Sequence, residues 1–451
     1  MSGYAEYREV NLPWVKAVPA HWEIRRNKNI FTEQKEIVGE RSADYTLLSL
    51  TLNGIIPRDM DGGGKFPESF DKYKIVKNGD MAFCLFDIDE TPRTVGLSGY
   101  NGMLTGAYTI MRVSNINARF IYYYYLALDN GKMLRPLYTG LRKTININTF
   151  QSTKVPVPPR EEQDQIVRFL DWKISGINKL INIKKKEIKA IDALKRSMVS
   201  HTITRGLTAD APMKYSGVKW LGDIPVHWKI TKLRQILHPV SEKNHPEFPL
   251  LSVVREQGVI LRDVEDKEAN HNFIPDDLSG YKVVRKGQFA MNKMKAWQGS
   301  YGVSDYTGIV SPAYFIFDIA FENLEYFHYA IRSKVYVNFF AQASDGIRVG
   351  QWDLQMDKMK EIPFIVPPAD EQIAIVKHIK QALPQYDAAI EKLTEEVAVL
   401  EEYKNKIIAD TVTGKIDVRG IEIPKYEFVD EDNDNVDENL EQGADEPPEE
   451  E

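Results

Sequence analysis

Apolar residues recur with helical spacing in two long stretches of the chain. The first stretch places them at alternating a and d heptad positions: Ile174, Ile177, Ile181, Ile188, Ile191 and Met198. The second repeats this register 209 residues later, with Lys195 and Lys404 occupying equivalent positions in the two seams: Ile390, Leu393, Val397, Leu400 and Ile407. Each pattern predicts an amphipathic helix whose apolar seam packs on a partner helix or, alternatively, on its own globular domain. We expect long helices at 175–201 and 384–410, each after a short one, because Gly176 and Pro384 should interrupt them.

Outside these stretches, the apolar residues form short runs bounded by turn residues. Such runs are typical of buried strands. Examples are residues 45–52, 81–86, 250–254 and 313–317. Aromatic and β-branched residues and glycine are frequent around them, which indicates mixed α/β globular domains.

Two motifs show that the chain is a tandem repeat. Trp14, Pro19, His21 and Trp22 recur at an offset of 206 as Trp220, Pro225, His227 and Trp228. Later in each half, Val157-Pro158-Pro159 with Glu162-Gln163 and Ile166-Val167 recurs at an offset of 209 as Val366-Pro367-Pro368 with Glu371-Gln372 and Ile375-Val376. Paired prolines followed by carboxylates indicate a helix start.

The repeat predicts two α/β (α+β) domains in tandem, separated by long α-helices. We expect a first domain at 1–156, a first helical region at 157–210, a second domain at 211–365, a second helical region at 366–420 and a tail at 421–451. The first helical stretch is basic, with 11 basic and 6 acidic residues over 160–205, and the second is acidic, with 5 and 9 over 369–414. Opposite charge beside two apolar seams favours an antiparallel coiled coil within the chain.

The net charge of −7 is unevenly distributed. Residues 427–451 hold 13 of the 65 acidic residues and no lysine or arginine, so the remaining chain has a net charge of +6. A segment of this composition cannot bury enough apolar surface to offset its ordering entropy, so we expect a disordered acidic tail. The charge of the body is compatible with a nucleic-acid partner.

Motifs for catalysis and for cofactor or metal binding are missing from the sequence. The single cysteine, Cys84, excludes an intrachain disulfide and a cysteine-based zinc site, and the eight histidines form no cluster with metal spacing. Phosphate-binding, hydrolase, metalloprotease and amino-methyltransferase motifs are also missing. We therefore expect a non-enzymatic chain without a cofactor. With no apolar stretch long enough to span a membrane and no signal peptide, we expect it in the cytoplasm.

Basic and amide residues without nearby acid form the candidate DNA-binding sites. Residues 131–160 contain no Asp or Glu, and neither do residues 288–304. Lysine and arginine attract phosphates, and arginine, asparagine and glutamine can bind base edges. The candidate DNA-binding residues are Arg135, Arg142, Lys143, Asn146, Asn292, Lys293, Lys295, Trp297, Gln298 and Arg348.

The two halves differ at the candidate positions within a matching framework. Asn292, Lys293 and Lys295 of the second half correspond to Cys84, Leu85 and Asp87 of the first. Similar scaffolds with different surfaces are expected if each half binds a different ligand.

With these motifs, and with Thr202-Ile203-Thr204 and Thr411-Val412-Thr413 closing the helical regions, the sequence resembles the specificity subunits of type I restriction-modification systems. The resemblance covers nearly the whole chain except the tail. It implies two target recognition domains that each bind half of a split asymmetric DNA site. It also implies partners: two modification subunits, which carry S-adenosylmethionine and dock on the spacer helices, and restriction subunits.

Two alternatives remain open at this point. The first is a coiled-coil scaffold whose globular domains bind protein partners instead of DNA. The second is a self-contained nuclease or methyltransferase, which the missing motifs disfavour.

Overall fold

The computed structural model describes residues 3–58, 67, 69–138, 140, 143–263, 275, 277–348 and 351–431 of the chain. The chain divides into two compact units. Unit 1 consists of Met1–Lys186 and Leu393–Glu451, and unit 2 consists of Glu187–Lys392. Each unit contains one globular repeat together with part of each long helix. Both repeats combine strands and helices, which confirms the predicted mixed α/β content.

Unit 1 is built around a four-stranded antiparallel sheet formed, in spatial order, by Phe31–Gln34, Thr109–Val113, Asp80–Phe83 and Val95–Leu97. Its strands are β1 (Tyr7–Glu9), β2 (Ala17–Pro19), β3 (Glu23–Arg26), β4 (Phe31–Gln34), β5 (Leu48–Thr51), β6 (Gly54–Pro57), β7 (Lys74–Val76), β8 (Asp80–Phe83), β9 (Val95–Leu97), β10 (Gly102–Leu104), β11 (Thr109–Val113) and β12 (Lys154–Val157). Its helices are α1 (Ala118–Asn130), α2 (Ile147–Ser152) and the first part of α3 (Arg160–Arg205). Two-stranded ladders pair β1 with β2, β3 with β12, β5 with β6 and β7 with β10.

Aromatic side chains fill the space between this sheet and helices α1 and α2. The rings of Phe83 and Phe150 lie 4.8 Å apart, and those of Phe83 and Tyr125 lie 5.1 Å apart. All three side chains are buried. Such edge-to-face and tilted contacts add to the free energy gained by burying apolar area.

Unit 2 repeats the architecture with a four-stranded sheet formed, in spatial order, by Leu237–Val240, Phe315–Ile319, Phe289–Met291 and Tyr301–Val303. Its strands are β13 (Met213–Tyr215), β14 (Asp223–Pro225), β15 (Lys229–Lys232), β16 (Leu237–Val240), β17 (Leu251–Val254), β18 (Gly258–Leu261), β19 (Lys282–Val284), β20 (Phe289–Met291), β21 (Tyr301–Val303), β22 (Gly308–Val310), β23 (Phe315–Ile319), β24 (Ser344–Arg348), β25 (Gln351–Leu354) and β26 (Pro363–Val366). Its helices are α4 (Leu324–Ile331), α5 (Lys334–Gln342), α6 (Met356–Lys360) and the first part of α7 (Ala369–Val412).

The two long helices are continuous, so the predicted breaks at Gly176 and Pro384 are wrong. Helix α3 has 46 residues and α7 has 44, with Pro384 inside it. Ile174 and Ile177 flank Gly176 and are buried in the core of unit 1, which offsets the cost of about 1 kcal/mol that glycine carries in a helix. Pro384 is exposed, and the buried Ile379 anchors the helix before it. None of the helices in the described part of the chain is long and apolar enough to cross a membrane.

Within each unit, α3 and α7 contact each other through ion pairs. In unit 1, Lys184 lies 3.0 Å from Glu396, and Lys404 donates to Asn178 Oδ1 at 3.4 Å. As the residue number rises along one helix it falls along the other, so the two segments run antiparallel. In unit 2, Lys195 pairs with Asp387. These pairs join the basic helix to the acidic one.

The beginning of the predicted disordered tail is held against α3, which corrects the expectation for residues 421–431. Gln165 Nε2 donates to the carbonyl oxygens of Val418 and Ile421 at 3.0 and 2.8 Å. Further along, residues 427–431, here called the C-terminal strap, follow the helix. Residues 432–451 of the predicted tail lie outside the described residues.

Side chains of α3 bind the backbone of the C-terminal strap. Ser175 Oγ donates to the carbonyl of Glu427 and accepts from the amide of Val429, both at 2.9 Å. Asn178 donates to the Val429 carbonyl at 3.2 Å, and Asn182 donates to the Asp430 carbonyl at 2.9 Å. Four hydrogen bonds to the main chain satisfy its polar groups and explain why this acidic segment is ordered.

Candidate nucleic-acid interface

The two sequence motifs that define the repeat meet in space within each unit. In unit 1, the buried carboxylate of Glu162 accepts from Trp22 Nε1 at 2.8 Å and from Tyr4 Oη at 2.6 Å. His21 Nε2 lies 2.7 Å from the other carboxylate oxygen. In unit 2, Glu371 accepts from Trp228 Nε1 at 2.9 Å and pairs with His227.

The glutamine that follows each glutamate fixes the proline pair. Gln163 Nε2 donates to the Pro158 carbonyl at 2.8 Å, and Gln372 Nε2 donates to the Pro367 carbonyl at the same distance. Together with the Trp–Glu bonds, these contacts lock the start of each long helix to the loop at the beginning of its globular domain. The contacts of the repeated motifs are therefore structural.

In unit 1, the candidate residues Arg135 and Lys143 converge on Asp89. Arg135 Nε lies 3.0 Å from Asp89 Oδ1, and Lys143 Nζ lies 3.5 Å from Oδ2. Tyr138 donates to Oδ2 at 2.7 Å. This hydrogen bond, supported by Arg135, lowers the pKa of Asp89, so the carboxylate stays charged at neutral pH. Lys143 also lies 3.2 Å from Glu90.

The remaining candidates of the first half are Asn146 and Arg142. Asn146 caps helix α2, because its Oδ1 accepts from the Asn148 amide at 2.8 Å. Its side chain therefore fixes the local backbone, as asparagine commonly does at the start of a helix. Arg142 lies outside the described residues.

In unit 2, Asn292 is an internal support of the candidate surface. The residue is 9% exposed, with Nδ2 donating to Tyr314 Oη and Oδ1 accepting from the Met294 amide, each at 3.1 Å. These bonds hold the turn that leads into a short 3-10 helix, Ala296–Gln298. The amide of Asn292 is thus committed to the protein itself.

Trp297 of that 3-10 helix stacks on Trp352 of the hairpin β24–β25. The two ring centroids lie 5.2 Å apart with an interplanar angle of 26°. Lys293 lies 3.2 Å from Asp353, and the Leu354 amide donates to the Lys293 carbonyl at 3.2 Å. The candidate loop and the hairpin therefore form one surface.

The other candidates of the second half lie on the same two elements. Lys295 is exposed and precedes the 3-10 helix, and Gln298 is its last residue, partly buried. Arg348 belongs to β24, where its backbone pairs with Gln351 of β25. The structure thus brings the candidate loop of the second half together with the strand that carries Arg348.

Sequence analysis missed Asp89, Tyr138 and Trp352 as parts of these surfaces. The sequence does not indicate Asp89, because an acidic residue repels phosphate and it lies 46 residues before Arg135. Trp352 is 36% exposed. The signal available for it was an aromatic residue between Gln351 and Asp353, close to Arg348.

Comparison with known proteins points to one class. Residues 70–190 match the family model of the type I restriction modification DNA specificity domain. The chain is 24% identical over 446 residues to the specificity subunit of the type I restriction enzyme MjaVIII of Methanocaldococcus jannaschii, covering 92% of this chain and 98% of that protein.

The fold agrees with this match. A solved structure from work on complex assembly and conformational transition of the type I R-M system superimposes with a TM-score of 0.55 at 13% identity, covering 88% of this chain and 99% of that one. Together these matches confirm the resemblance to type I specificity subunits that the sequence motifs indicated.

Proposed function

We infer that this chain is the DNA specificity subunit of a type I restriction-modification system. Support comes from the full-length similarity to the MjaVIII specificity subunit and from the matched DNA specificity domain. The function is recognition of a bipartite, asymmetric sequence in double-stranded DNA. Each globular repeat is a target recognition domain that binds one half of that sequence.

The observation that carries this proposal is a shared framework with different contents. Lys74 Nζ donates to the Tyr108 carbonyl at 2.6 Å in unit 1, and Lys282 Nζ donates to the Tyr314 carbonyl at 2.6 Å in unit 2. Next to these equivalent bonds, Asn292 occupies the place of Cys84. Two copies of one scaffold that present different side chains suit two different half-sites.

The proposed DNA contacts lie on the two surfaces described above. In the first half they come from Arg135 and Lys143, next to the helix that Asn146 caps, and Arg142 is proposed with them from its place in the sequence. In the second half they come from Lys293, Lys295, Trp297 and Gln298, on the loop that Asn292 supports, and from Arg348 of β24. Lysine and arginine bind phosphates or guanine, and amides bind adenine, so both surfaces can combine backbone and base contacts.

The long helices are the proposed spacer, an antiparallel coiled coil that sets the gap between the half-sites. Predicted seam residues support this, because Ile174, Ile177, Ile181 and Ile407 are buried in the core of unit 1. At a rise of 1.5 Å per residue, α3 is about 69 Å long. One turn of DNA is about 34 Å, so a helix of this length is compatible with a recognised sequence split by unread base pairs.

The proposed partners are double-stranded DNA, two modification subunits docked on the spacer helices, and restriction subunits. In this arrangement the specificity subunit is not an enzyme, and the modification subunits bring S-adenosylmethionine and the methyl transfer. The chain acts as the sequence reader of the complex. Its proposed setting is the cytoplasm, where it has access to DNA.

The proposal is tested by expressing the chain with its modification subunits in a host without adenine methylation and mapping methyladenine across the genome. A split motif with adenine methylated in both halves is expected. Replacing residues 11–156 by the equivalent domain of another specificity subunit should change one half of the motif only. A single continuous palindromic motif would contradict the proposal.

Binding measurements separate this function from that of a protein-binding scaffold. A DNA specificity subunit assembled with its modification subunits should bind duplex DNA with an affinity that falls steeply as salt rises, because phosphate contacts release counterions. A scaffold would have no salt-dependent affinity for DNA under the same conditions.

A further inference from the structure

Equivalent hydrogen bonds allow the candidate DNA-binding surface of unit 1 to be compared, residue by residue, with that of unit 2. In unit 1, the amide of Ile145 donates to the carbonyl of Leu85 at 2.8 Å. In unit 2, the amide of Leu354 donates to the carbonyl of Lys293 at 3.2 Å. Each bond joins the loop after β8 in unit 1, or after β20 in unit 2, to a later segment of the same domain. Residues of the two units can therefore be matched by counting from this bond.

Counting from these bonds pairs two positions in each unit, which we call the variable pair. Four residues after Leu85 comes Asp89, and four residues after Lys293 comes Trp297. Two residues before Ile145 comes Lys143, and two residues before Leu354 comes Trp352. The variable pair is therefore Asp89 with Lys143 in unit 1 and Trp297 with Trp352 in unit 2.

The members of the variable pair touch in both units, but through opposite chemistry. Asp89 and Lys143 form an ion pair, with Oδ2 and Nζ 3.5 Å apart. Trp297 and Trp352 stack with their ring centroids 5.2 Å apart. The contact between the two segments is thus kept while its character changes from charged to aromatic.

One member of each pair faces solvent while the other supports it. The side chain of Lys143 is 34% exposed and that of Asp89 is 15% exposed. Trp352 is 36% exposed, and it rests on Trp297, which is partly buried. Asp89 also receives Arg135, whose side chain is 62% exposed. Each domain therefore presents an accessible side chain, Lys143 or Trp352, that the other member of its variable pair holds in place.

We propose that the variable pair determines base specificity in each recognition domain, which rests on the proposed DNA-binding function. In the first domain, Asp89 positions Lys143 and Arg135 to donate hydrogen bonds to O6 and N7 of a guanine. In the second domain, Trp297 holds Trp352 so that the indole contacts the methyl group of a thymine. The first half-site contains the guanine, and the second contains the thymine.

The two contacts respond differently to salt. A lysine and an arginine bound to a guanine act through charge, so ions compete with them. An indole packed on a methyl group gains free energy by excluding water, which salt does not screen. Discrimination at the guanine should therefore weaken as salt rises, whereas discrimination at the thymine should persist.

The experiment uses the full-length chain with its modification subunits and two variants, Lys143→Ala and Trp352→Ala. Relative affinities are measured for duplexes that carry one changed base pair in either half-site of the motif found by methylation mapping. Lys143→Ala should reduce discrimination at a guanine of the first half-site about tenfold and leave the second half-site unchanged. Trp352→Ala should reduce discrimination at a thymine of the second half-site only.

Matched controls separate these effects from a general loss of charge or aromatic surface. Lys35→Ala removes an exposed lysine of unit 1 whose side chain is 76% exposed, and Tyr306→Ala removes an aromatic residue of unit 2 that is 39% exposed. Both should leave discrimination unchanged. Trp352→Phe keeps an apolar ring on Trp297 and should restore most of the discrimination lost in Trp352→Ala, even if the alanine variant folds poorly.

Two results distinguish failure of this inference from failure of the proposed function. If wild-type complexes recognise a split motif but Lys143→Ala and Trp352→Ala leave discrimination unchanged in both halves, the inference is overturned. It is also overturned if the affected positions are not guanine in the first half-site and thymine in the second. If the wild-type complex recognises no split motif, the proposed function itself fails.

Discussion

The indole nitrogen of Trp22 donates to Glu162, 140 residues further along the chain, at 2.8 Å. The bond joins the first motif of the repeat to the second, and Trp228 makes the same bond to Glu371. The two carboxylates differ in exposure, with 5% of the Glu162 side chain and 35% of the Glu371 side chain accessible. Equivalent bonds should therefore contribute unequal amounts of stability.

Replacing each glutamate by glutamine tests this difference. In Glu162→Gln, a buried amide must replace a charged acceptor that Trp22 and Tyr4 share, so we expect unit 1 to lose about 2–3 kcal/mol of unfolding free energy. Glu371→Gln should cost about 1 kcal/mol because water reaches that site. Urea unfolding followed by tryptophan fluorescence measures both. Equal losses would show that burial does not set the strength of this bond.

The sequence was sufficient to predict the elements that depend on periodicity. The seams around Ile174 and Ile407 indicated the long helices, and the offset repeat indicated two similar domains. Local propensity failed at Gly176 and Pro384, because a helix of more than 40 residues with buried anchors tolerates residues that would end a shorter one.

Contacts between distant residues account for what the sequence could not indicate. Asp89 was unremarkable until the fold brought Arg135 and Lys143 to it. Composition alone predicts that the C-terminal strap is disordered. The strap is held by hydrogen bonds from Asn178 and Asn182 to its backbone, and such bonds leave no pattern in the sequence of the strap itself. Candidate residues chosen by type were brought together in unit 2, but Asn292 proved to be a support.

Glycines that end the long helices should resist substitution. Gly414 has φ of +78° and lies against Pro19 and Trp22, so an added Cβ would come within 2.7 Å of Pro19 Cγ. We expect Gly414→Ala to lower the unfolding free energy by at least about 2 kcal/mol, from backbone strain and overpacking. Gly206→Ala, with φ of +74° and a nearest contact of 3.1 Å to Trp228, should cost less.

Gly420 provides the matched control for these substitutions. Its added Cβ would meet nothing within 4 Å, and its φ is not in the left-handed range. Gly420→Ala should therefore leave thermal and urea unfolding within about 0.5 kcal/mol of wild type. A destabilisation as large as that of Gly414→Ala would show that the helix-end geometry is not the cause.

His328 should make unit 2 sensitive to mild acid. Burial, with Arg332 nearby, lowers the pKa of His328 from 6.5 to about 4, and its Nδ1 accepts from the Val303 amide at 3.3 Å. In the unfolded state His328 binds a proton below pH 6.5, whereas in the folded state it binds one only near pH 4. The contribution of neutral His328 to the unfolding free energy is therefore fully present above pH 6.5. It decreases by up to about 3 kcal/mol as pH falls to 4.

The variant His328→Asn isolates this effect from other titrating groups. Asparagine keeps an acceptor for the Val303 amide but does not titrate, so its unfolding free energy should fall less than that of wild type between pH 6.5 and 4. Parallel pH profiles of the unfolding free energy for the two proteins would rule out His328 as the source of the acid sensitivity.

The C-terminal strap should stabilise unit 1 through Glu431, which bridges the two long helices. Its carboxylate lies 2.7 Å from Lys185 of α3 and 2.6 Å from Lys404 of α7. Burial alone would raise the pKa of Glu431, but hydrogen bonds from the two lysines outweigh it and lower the pKa. The bridge therefore stabilises fully above the ordinary pKa of 4.5 and is lost as pH falls below it.

Two truncations measure what the strap contributes. Ending the chain after Glu431 removes 20 residues and keeps the bridge, so the melting temperature should not change. Ending it after Tyr426 removes the bridge and the four backbone hydrogen bonds, so the melting temperature should fall by several degrees, at about 2–4 °C per kcal/mol. Because the strap contacts α3 and α7 and, among the residues that the structure describes, neither variable pair, both truncated proteins should direct methylation to the wild-type motif. A changed motif would place the acidic segment in DNA recognition itself.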